Sequence, residues 1–336
     1  MEENYHYIYD VNCNLKSPLM PLLAAGHYSP SFPFKNGHVN TIYSSLFRKA
    51  KSIAFERKRI ETPDDDFLDL DLIENGSNKV VVLCHGLEGS SASKYILATA
   101  ELLSKNGYAI AAMNYRFCSG EINRQLITYH SGRTEDLHTV IETLLPNYEE
   151  IYLVGFSLGG NLVLKYNGDG IYPLHPKIKA SVAVSVPVDL HGSSIQLQKP
   201  ENKIYTWRFL RTLTKKIRLK HQQYPDKVDV RLLKKIKKLT DFDEYYTSQL
   251  NGFKDAKDYY TKASCKPFLN AIQRPTLLIN ALDDPFLSPS CFPYEEAKNS
   301  SHFYLMCPEY GGHVGFIDKG EYHWSEKQIL SFIEQF

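Results

Sequence analysis

Residues Ile151 to Asn161 constrain the fold of this chain more than any other stretch. Ile151-Tyr-Leu-Val154 is an apolar run of strand type that stops at Gly155. Ser157 follows, with Gly155 two positions before it and Gly159 two positions after it. Asn161-Leu-Val-Leu-Lys-Tyr166 then reads as the first turns of a helix. A strand that becomes a helix over so short a span throws its apical residue onto a sharp, strained bend, where positions two residues away cannot carry bulk. The serine hydroxyl then stands free at the end of a sheet. The first backbone N–H groups of the new helix have no partner within the helix and can meet negative charge developing beside that hydroxyl. This is the strand–turn–helix setting of a G-x-S-x-G nucleophile.

The rest of the chain supplies the sheet that such a turn needs. Ile53 to Glu61 and Phe67 to Ile73 read as a hairpin turned by Pro63-Asp-Asp-Asp66. Lys79-Val-Val-Val-Leu-Cys84 is a continuous apolar strand, followed by a helix over about 93–106, a strand Tyr108 to Asn114 and a helix Arg133 to Leu145. After the elbow comes a strand over 180–186. Strand and helix alternate, which predicts an α/β fold whose mostly parallel central sheet is covered on both faces. The rhythm breaks over 188–267, which has helix formers, apolar residues at helical spacing and no strand pattern. It resumes with strands Pro275 to Ala281 and His302 to Cys307 and a closing helix Trp324 to Ile333. The expected organisation is an arm over 1–50, with a short helix starting at Gly37, a core over 51–187 and 268–336, and a helical cap over 188–267.

Composition excludes several function classes. Of 336 residues, 43% are hydrophobic and 23% charged, which is globular rather than disordered, and the net charge of +1 gives no overall drive toward nucleic acid. No apolar run reaches the ~20 residues of a bilayer span, and the N-terminus has no signal-peptide pattern. The six cysteines are scattered without a C-x-x-C, so neither a disulfide framework nor a metal site is expected, and a cytoplasmic setting fits. No phosphate-binding or dinucleotide motif is present, so no cofactor is expected. The one charge-rich stretch, Lys203 to Lys238, reads as a solvated lysine face, with attraction to acidic ligands or peripheral contact with a membrane as the alternative.

A serine hydroxyl needs a base, and the base needs an orienting partner. Of the histidines, His85 and His313 sit in Gly-bearing loops just after expected strands. His313 is the base expected for Ser157, and His85 is expected to fix its own loop. The acid is Asp283 or Asp284, in the loop after the strand at 276–280; Asp284 is favoured, leaving Asp283 to accept backbone N–H groups. The oxyanion donors expected are the N–H of Leu158, directly after the nucleophile, and the N–H of Leu87, where Gly86 lets the backbone approach.

His85-Gly-Leu-Glu-Gly89, Asn114-Tyr-Arg116, Gly155-Phe-Ser-Leu-Gly-Gly-Asn161, Asn280-Ala-Leu-Asp-Asp-Pro285 and Gly311-Gly-His-Val-Gly-Phe316, with the early Gly37-His-Val-Asn-Thr-Ile42, resemble the YheT-like branch of the α/β-hydrolases. The resemblance implies a serine hydrolase for carboxylic esters, with the triad on Ser157, Asp284 and His313 and a small-molecule ester or lipid as substrate. Phe117 departs from the branch, which often has glycine after the arginine. A fold kept only for binding, or the same triad turned on peptide or thioester bonds, are the alternative readings.

Overall fold

In the computed structural model, residues 21–26, 28–49 and 53–336 are described. Among these residues nine strands form one sheet in the order β1-β9-β8-β7-β6-β4-β5-β3-β2. The hairpin is β2 (Glu56–Glu61) and β3 (Phe67–Ile73), antiparallel to each other, and β3 also runs antiparallel to β5 (Ala109–Asn114). The other pairings are parallel: β5 with β4 (Lys79–Cys84), β4 with β6 (Glu150–Phe156), and β6 with β7 (Ile178–Val184). Beyond them lie β8 (Thr276–Ile279) and β9 (Phe303–Met306). Inside the stretch read as an arm, β1 (Leu22–Leu23) joins the edge of the sheet against β9, and α1 (Gly37–Leu46) forms a full helix. The part of that stretch before residue 21 lies outside the described residues.

The central strands are buried along nearly their whole length because both faces are covered. Helices α2 (Lys94–Lys105), α3 (Thr134–Leu144) and α4 (Leu158–Gly168) are the crossovers. One core layer packs Val80, Val82, Leu153 and Ile151 against Leu137, Ile141, Leu162 and Val163. The other packs Val81, Leu83, Val154 and Val182 against Ile96, Leu103 and Ile329.

Between β7 and β8 every described element is helical. These are α5 (Leu190–Gln196), α6 (Lys203–Gln223), α7 (Leu239–Phe242), α8 (Ser248–Leu250) and α9 (Ala256–Ala263), with 3-10 turns between some of them. A π-helical turn, Asp243–Thr247, joins α7 to α8. This layer has its own apolar cluster of Leu213, Ile217, Val228, Leu239, Phe242 and Leu250. The chain ends on α10 (Tyr294–Lys298) and α11 (Trp324–Ile333).

The structure corrects two expectations here. Leu232, Leu233 and Ile236 do not belong to an amphipathic α-helix; Val230–Lys235 is a 3-10 helix with no buried residue, so its apolar groups cover the cluster's rim rather than enter it. Nor is the lysine stretch solvated throughout. Lys220 is buried, with its ammonium donating to the carbonyls of Asn123 (2.9 Å) and Gln125 and to Gln223 Oε1 at 3.1 Å.

Candidate active site

The bend after β6 is as sharp as the glycines imply. Ser157 has φ 53° and ψ −116°, a left-handed conformation that a residue with a side chain adopts only under strain. A Cβ on Gly155 would lie 2.2 Å from the carbonyl oxygen of Gly159, and one on Gly159 would lie 2.3 Å from that of Cys84. Larger residues at either position would push α4 off the ends of β6 and β4. The N–H of Ser157 donates to Val184 O at 2.8 Å, tying the bend to β7.

Two loops from distant parts of the sequence meet this serine. His313 Nε2 lies 2.9 Å from Ser157 Oγ, and His313 Nδ1 lies 2.8 Å from Asp284 Oδ2. Asp284 is buried, and its other oxygen accepts the N–H of Phe286 at 2.9 Å. Phe286 stacks on the imidazole at 4.1 Å, so the ring is held on its face as well as at both nitrogens. The His313 N–H donates to Thr41 Oγ1 at 2.8 Å, which brings α1 into the support of the site. Asp283 points elsewhere. Its Oδ1 accepts the N–H of Gly312 at 2.8 Å, and its Oδ2 is buried without a partner. Burial outweighs the Gly312 bond and, with the charge of Asp284 beside it, pushes the Asp283 carboxyl up to about 6.

In the loop after β4 the backbone donors are almost all taken. The N–H of Gly86 donates to Tyr95 Oη at 2.8 Å and that of Glu88 to Tyr129 Oη at 3.0 Å. Among the described residues no group accepts from Leu87 N–H between them, nor from Leu158 N–H at the start of α4. Both residues line the cavity at Ser157 and His313. His85 is buried; burial lowers its ring to about 3, so it is neutral. Its Nδ1 lies 2.8 Å from Gly86 O and its Nε2 takes the Tyr115 N–H at 3.4 Å, so it braces the loop from behind.

Above the serine lies a cavity of about 150 Å³. Its walls are mostly apolar, with Leu213, Ile217, Leu239, Phe242 and Leu250 from the helical layer. Two polar features of these walls join residues too far apart along the chain for spacing to reveal them. Lys216 Nζ donates to Glu88 Oε1 at 2.7 Å and sits over the Tyr129 ring at 5.1 Å, joining α6 to the residue after Leu87. On the π-helical turn, Asp243 accepts from Tyr260 Oη and Thr247 Oγ1, both at 2.7 Å, and burial raises its carboxyl to about 6. Phe117 also lines the cavity, at φ 64°, a backbone region that favours glycine. Three of the tyrosines, Tyr95, Tyr129 and Tyr260, supply hydroxyls to these contacts.

A family model described as alpha/beta hydrolase fold matches residues 79–320. The chain belongs to the α/β-hydrolase family. Within it the chain falls in the YheT-like branch: it is 34% identical over 324 residues to YheT of Escherichia coli (strain K12), an esterase by name, covering 92% of this chain and 94% of that one. It is 30% identical over 303 residues to Phospholipase ABHD3 of Homo sapiens, covering 87% of this chain and 74% of that one. It is 28% identical over 288 residues to a monoacylglycerol lipase of Saccharomyces cerevisiae, covering 82% of this chain and 62% of that one. Among solved structures, the Pyrococcus furiosus esterase Pf2001 superposes with a TM-score of 0.56 at 17% identity, covering 86% of this chain and 98% of that one, a likeness of fold. Among the described residues no helix is long and apolar enough to cross a membrane.

Proposed function

We propose that this protein hydrolyses carboxylic esters through an acyl-serine intermediate. The observation that carries the reading is the unbroken chain of two short hydrogen bonds from Ser157 through His313 to Asp284 at the foot of an apolar cavity. Ser157 Oγ attacks the ester carbonyl while His313 Nε2 takes its proton. Asp284 holds the Nδ1–H tautomer and stabilises the imidazolium. The carbonyl oxygen, now negative, accepts from Leu87 N–H and Leu158 N–H. His313 returns the proton to the departing alcohol. A water, deprotonated by the same ring, then attacks the acyl carbon and releases the acid and the free serine.

The apolar walls and the lipase and phospholipase names among the relatives support an aliphatic acyl chain as the cavity's occupant. We read residues 188–267 as the cap that encloses this chain. The five described cysteines are unpaired, which supports a reducing, cytoplasmic setting. The test is turnover of p-nitrophenyl esters from acetate to decanoate by wild type and Ser157→Ala. The proposal expects wild-type turnover that depends on acyl length and falls to background in the variant. Full turnover by Ser157→Ala would overturn it.

A further inference from the structure

Helix α1 is amphipathic in the wrong direction for a helix at the surface of a water-soluble domain. Its inward face is polar. Thr41 accepts the His313 N–H, Asn40 donates to Phe34 O at 3.0 Å, and just past the helix Arg48 makes a buried bidentate pair with Glu326 at 2.5 and 2.8 Å. Its outward face is apolar, with Val39 and Tyr43 exposed and Leu46 and Phe47 at 55% and 65%. Surface helices normally place these two faces the other way round. The start of α6 lies alongside. His38 Nδ1 meets Tyr205 Oη at 3.1 Å, and Arg208 donates to Ser45 at 3.0 Å two turns further along α1. There Ile204 and Trp207 are each 60% exposed. An apolar surface thus runs across two adjacent helices, and both belong to the surroundings of the site: Thr41 supports His313, and Tyr205 packs on Phe286 at 4.7 Å.

The groove beside this surface is lined by charge of one sign. Lys203, Arg211, Lys237 and Lys238 line it with Trp207 and Ile236, and no acidic side chain does. None of these four cations has a carboxylate partner among the described residues. The nearby Asp241 carboxylate is already occupied by the backbone N–H groups of Lys237 and Lys238 at 2.9 and 3.1 Å.

We propose that the α1–α6 face docks on the surface of an anionic lipid bilayer, with Leu46, Phe47, Ile204 and Trp207 entering the headgroup–acyl boundary and the lysine groove meeting lipid phosphates. Exposed aromatic and aliphatic side chains flanked by unpaired cations are the combination that such interfaces hold. A second copy of the chain is the poorer occupant, because a twofold interface on this face would bring the two sets of unpaired cations together. Docking brings to the membrane the two helices whose Thr41 and Tyr205 touch His313 and Phe286. It does not depend on ester cleavage, because binding alone reports it.

The test uses the full chain carrying Trp324→Phe, so that Trp207, the other of the two tryptophans, reports alone. Vesicles of phosphatidylcholine are compared with vesicles also containing phosphatidylglycerol. The expected result is co-flotation and a blue shift of Trp207 with the anionic vesicles, both reversed by salt. Lys237→Ala/Lys238→Ala should lower the partition coefficient roughly 25-fold, about fivefold per lysine. Leu46→Ser/Phe47→Ser should abolish flotation while turnover of a short water-soluble ester stays unchanged. No flotation with anionic vesicles at low salt would overturn the proposal. So would flotation that both double variants retain, or a concentration-dependent dimer, broken by Leu46→Ser/Phe47→Ser, in place of vesicle binding.

Discussion

Replacing Lys216 by methionine should weaken both the fold and the chemistry, through Glu88. The Glu88 carboxylate is almost fully buried, at 7% side-chain exposure, and it takes one charged donor, Lys216, and one neutral donor, Tyr129 Oη at 2.6 Å. Opposite charges 2.7 Å apart attract by roughly 6 kcal/mol at an effective dielectric near 20. Much of that offsets the desolvation of the two groups, and removing one member of a buried pair costs about 3–5 kcal/mol because the other stays buried and unpaired. The Lys216 side chain keeps 22% exposure, so water repairs part of the loss. The expected destabilisation is about 2–3 kcal/mol, read from the urea midpoint. Glu88 follows Leu87 directly, so the loop carrying the proposed oxyanion donor loosens as well. The turnover number on p-nitrophenyl butyrate should fall about 10–100-fold, less than the ~10²–10³ of deleting one donor outright, with KM little changed. Lys216→Met/Glu88→Gln leaves no buried charge and should recover most of the stability. A double variant no more stable than Lys216→Met, or a turnover number unmoved in both, would refute the reasoning.

Other predictions test the neighbouring carboxylates and the bend. Asp284→Asn should lower turnover by about 10⁴, whereas Asp283→Asn should leave it within about tenfold, since that carboxylate accepts backbone N–H groups such as that of Gly312 and does not meet the imidazole; steady-state rates on one ester decide between them. Asp283 also predicts a pH signature. Its carboxyl rises from 3.8 to about 6 on folding, so the native state holds the proton more tightly than the unfolded chain. Wild type should therefore lose stability relative to Asp283→Asn as pH rises from about 4 through about 6, by about 1–2 kcal/mol after solvent screening, measurable by urea unfolding across that window. Gly159→Ala should cost turnover severely, because its methyl would meet Cys84 O at 2.3 Å; wild-type kinetics in that variant would contradict the account of the bend.

Much of this was legible along the chain because it is local. The glycines around Ser157 follow from the sterics of one turn, and β4 to β7 follow from runs of mostly apolar residues that a sheet covered on both faces demands. The two loops carrying Asp284 and His313 were placed by their position just after strands. The sequence alone left Asp283 and Asp284 open; their different partners are a matter of loop path, which spacing does not encode. The Lys216–Glu88 pair joins residues 128 positions apart and leaves no local trace. Helix α1 was visible as a helix but not as an inverted one. Periodicity finds its apolar stripe, and only the packing of Thr41 and Arg48 against the His313 loop and Glu326 turns that stripe outward. The 3-10 turn at Val230–Lys235 carried helical spacing over too few residues to separate the two helix types.

The central claim is that Ser157 carries the acyl group during turnover. The direct measurement is an acid quench of the enzyme with a p-nitrophenyl ester before the steady state, followed by peptide mapping by mass spectrometry. The acyl mass should appear on the peptide containing Ser157, in step with a burst of p-nitrophenol, and should accumulate on no other residue. Turnover that proceeds with the acyl group on a different side chain, or with Ser157 never modified, would contradict the account.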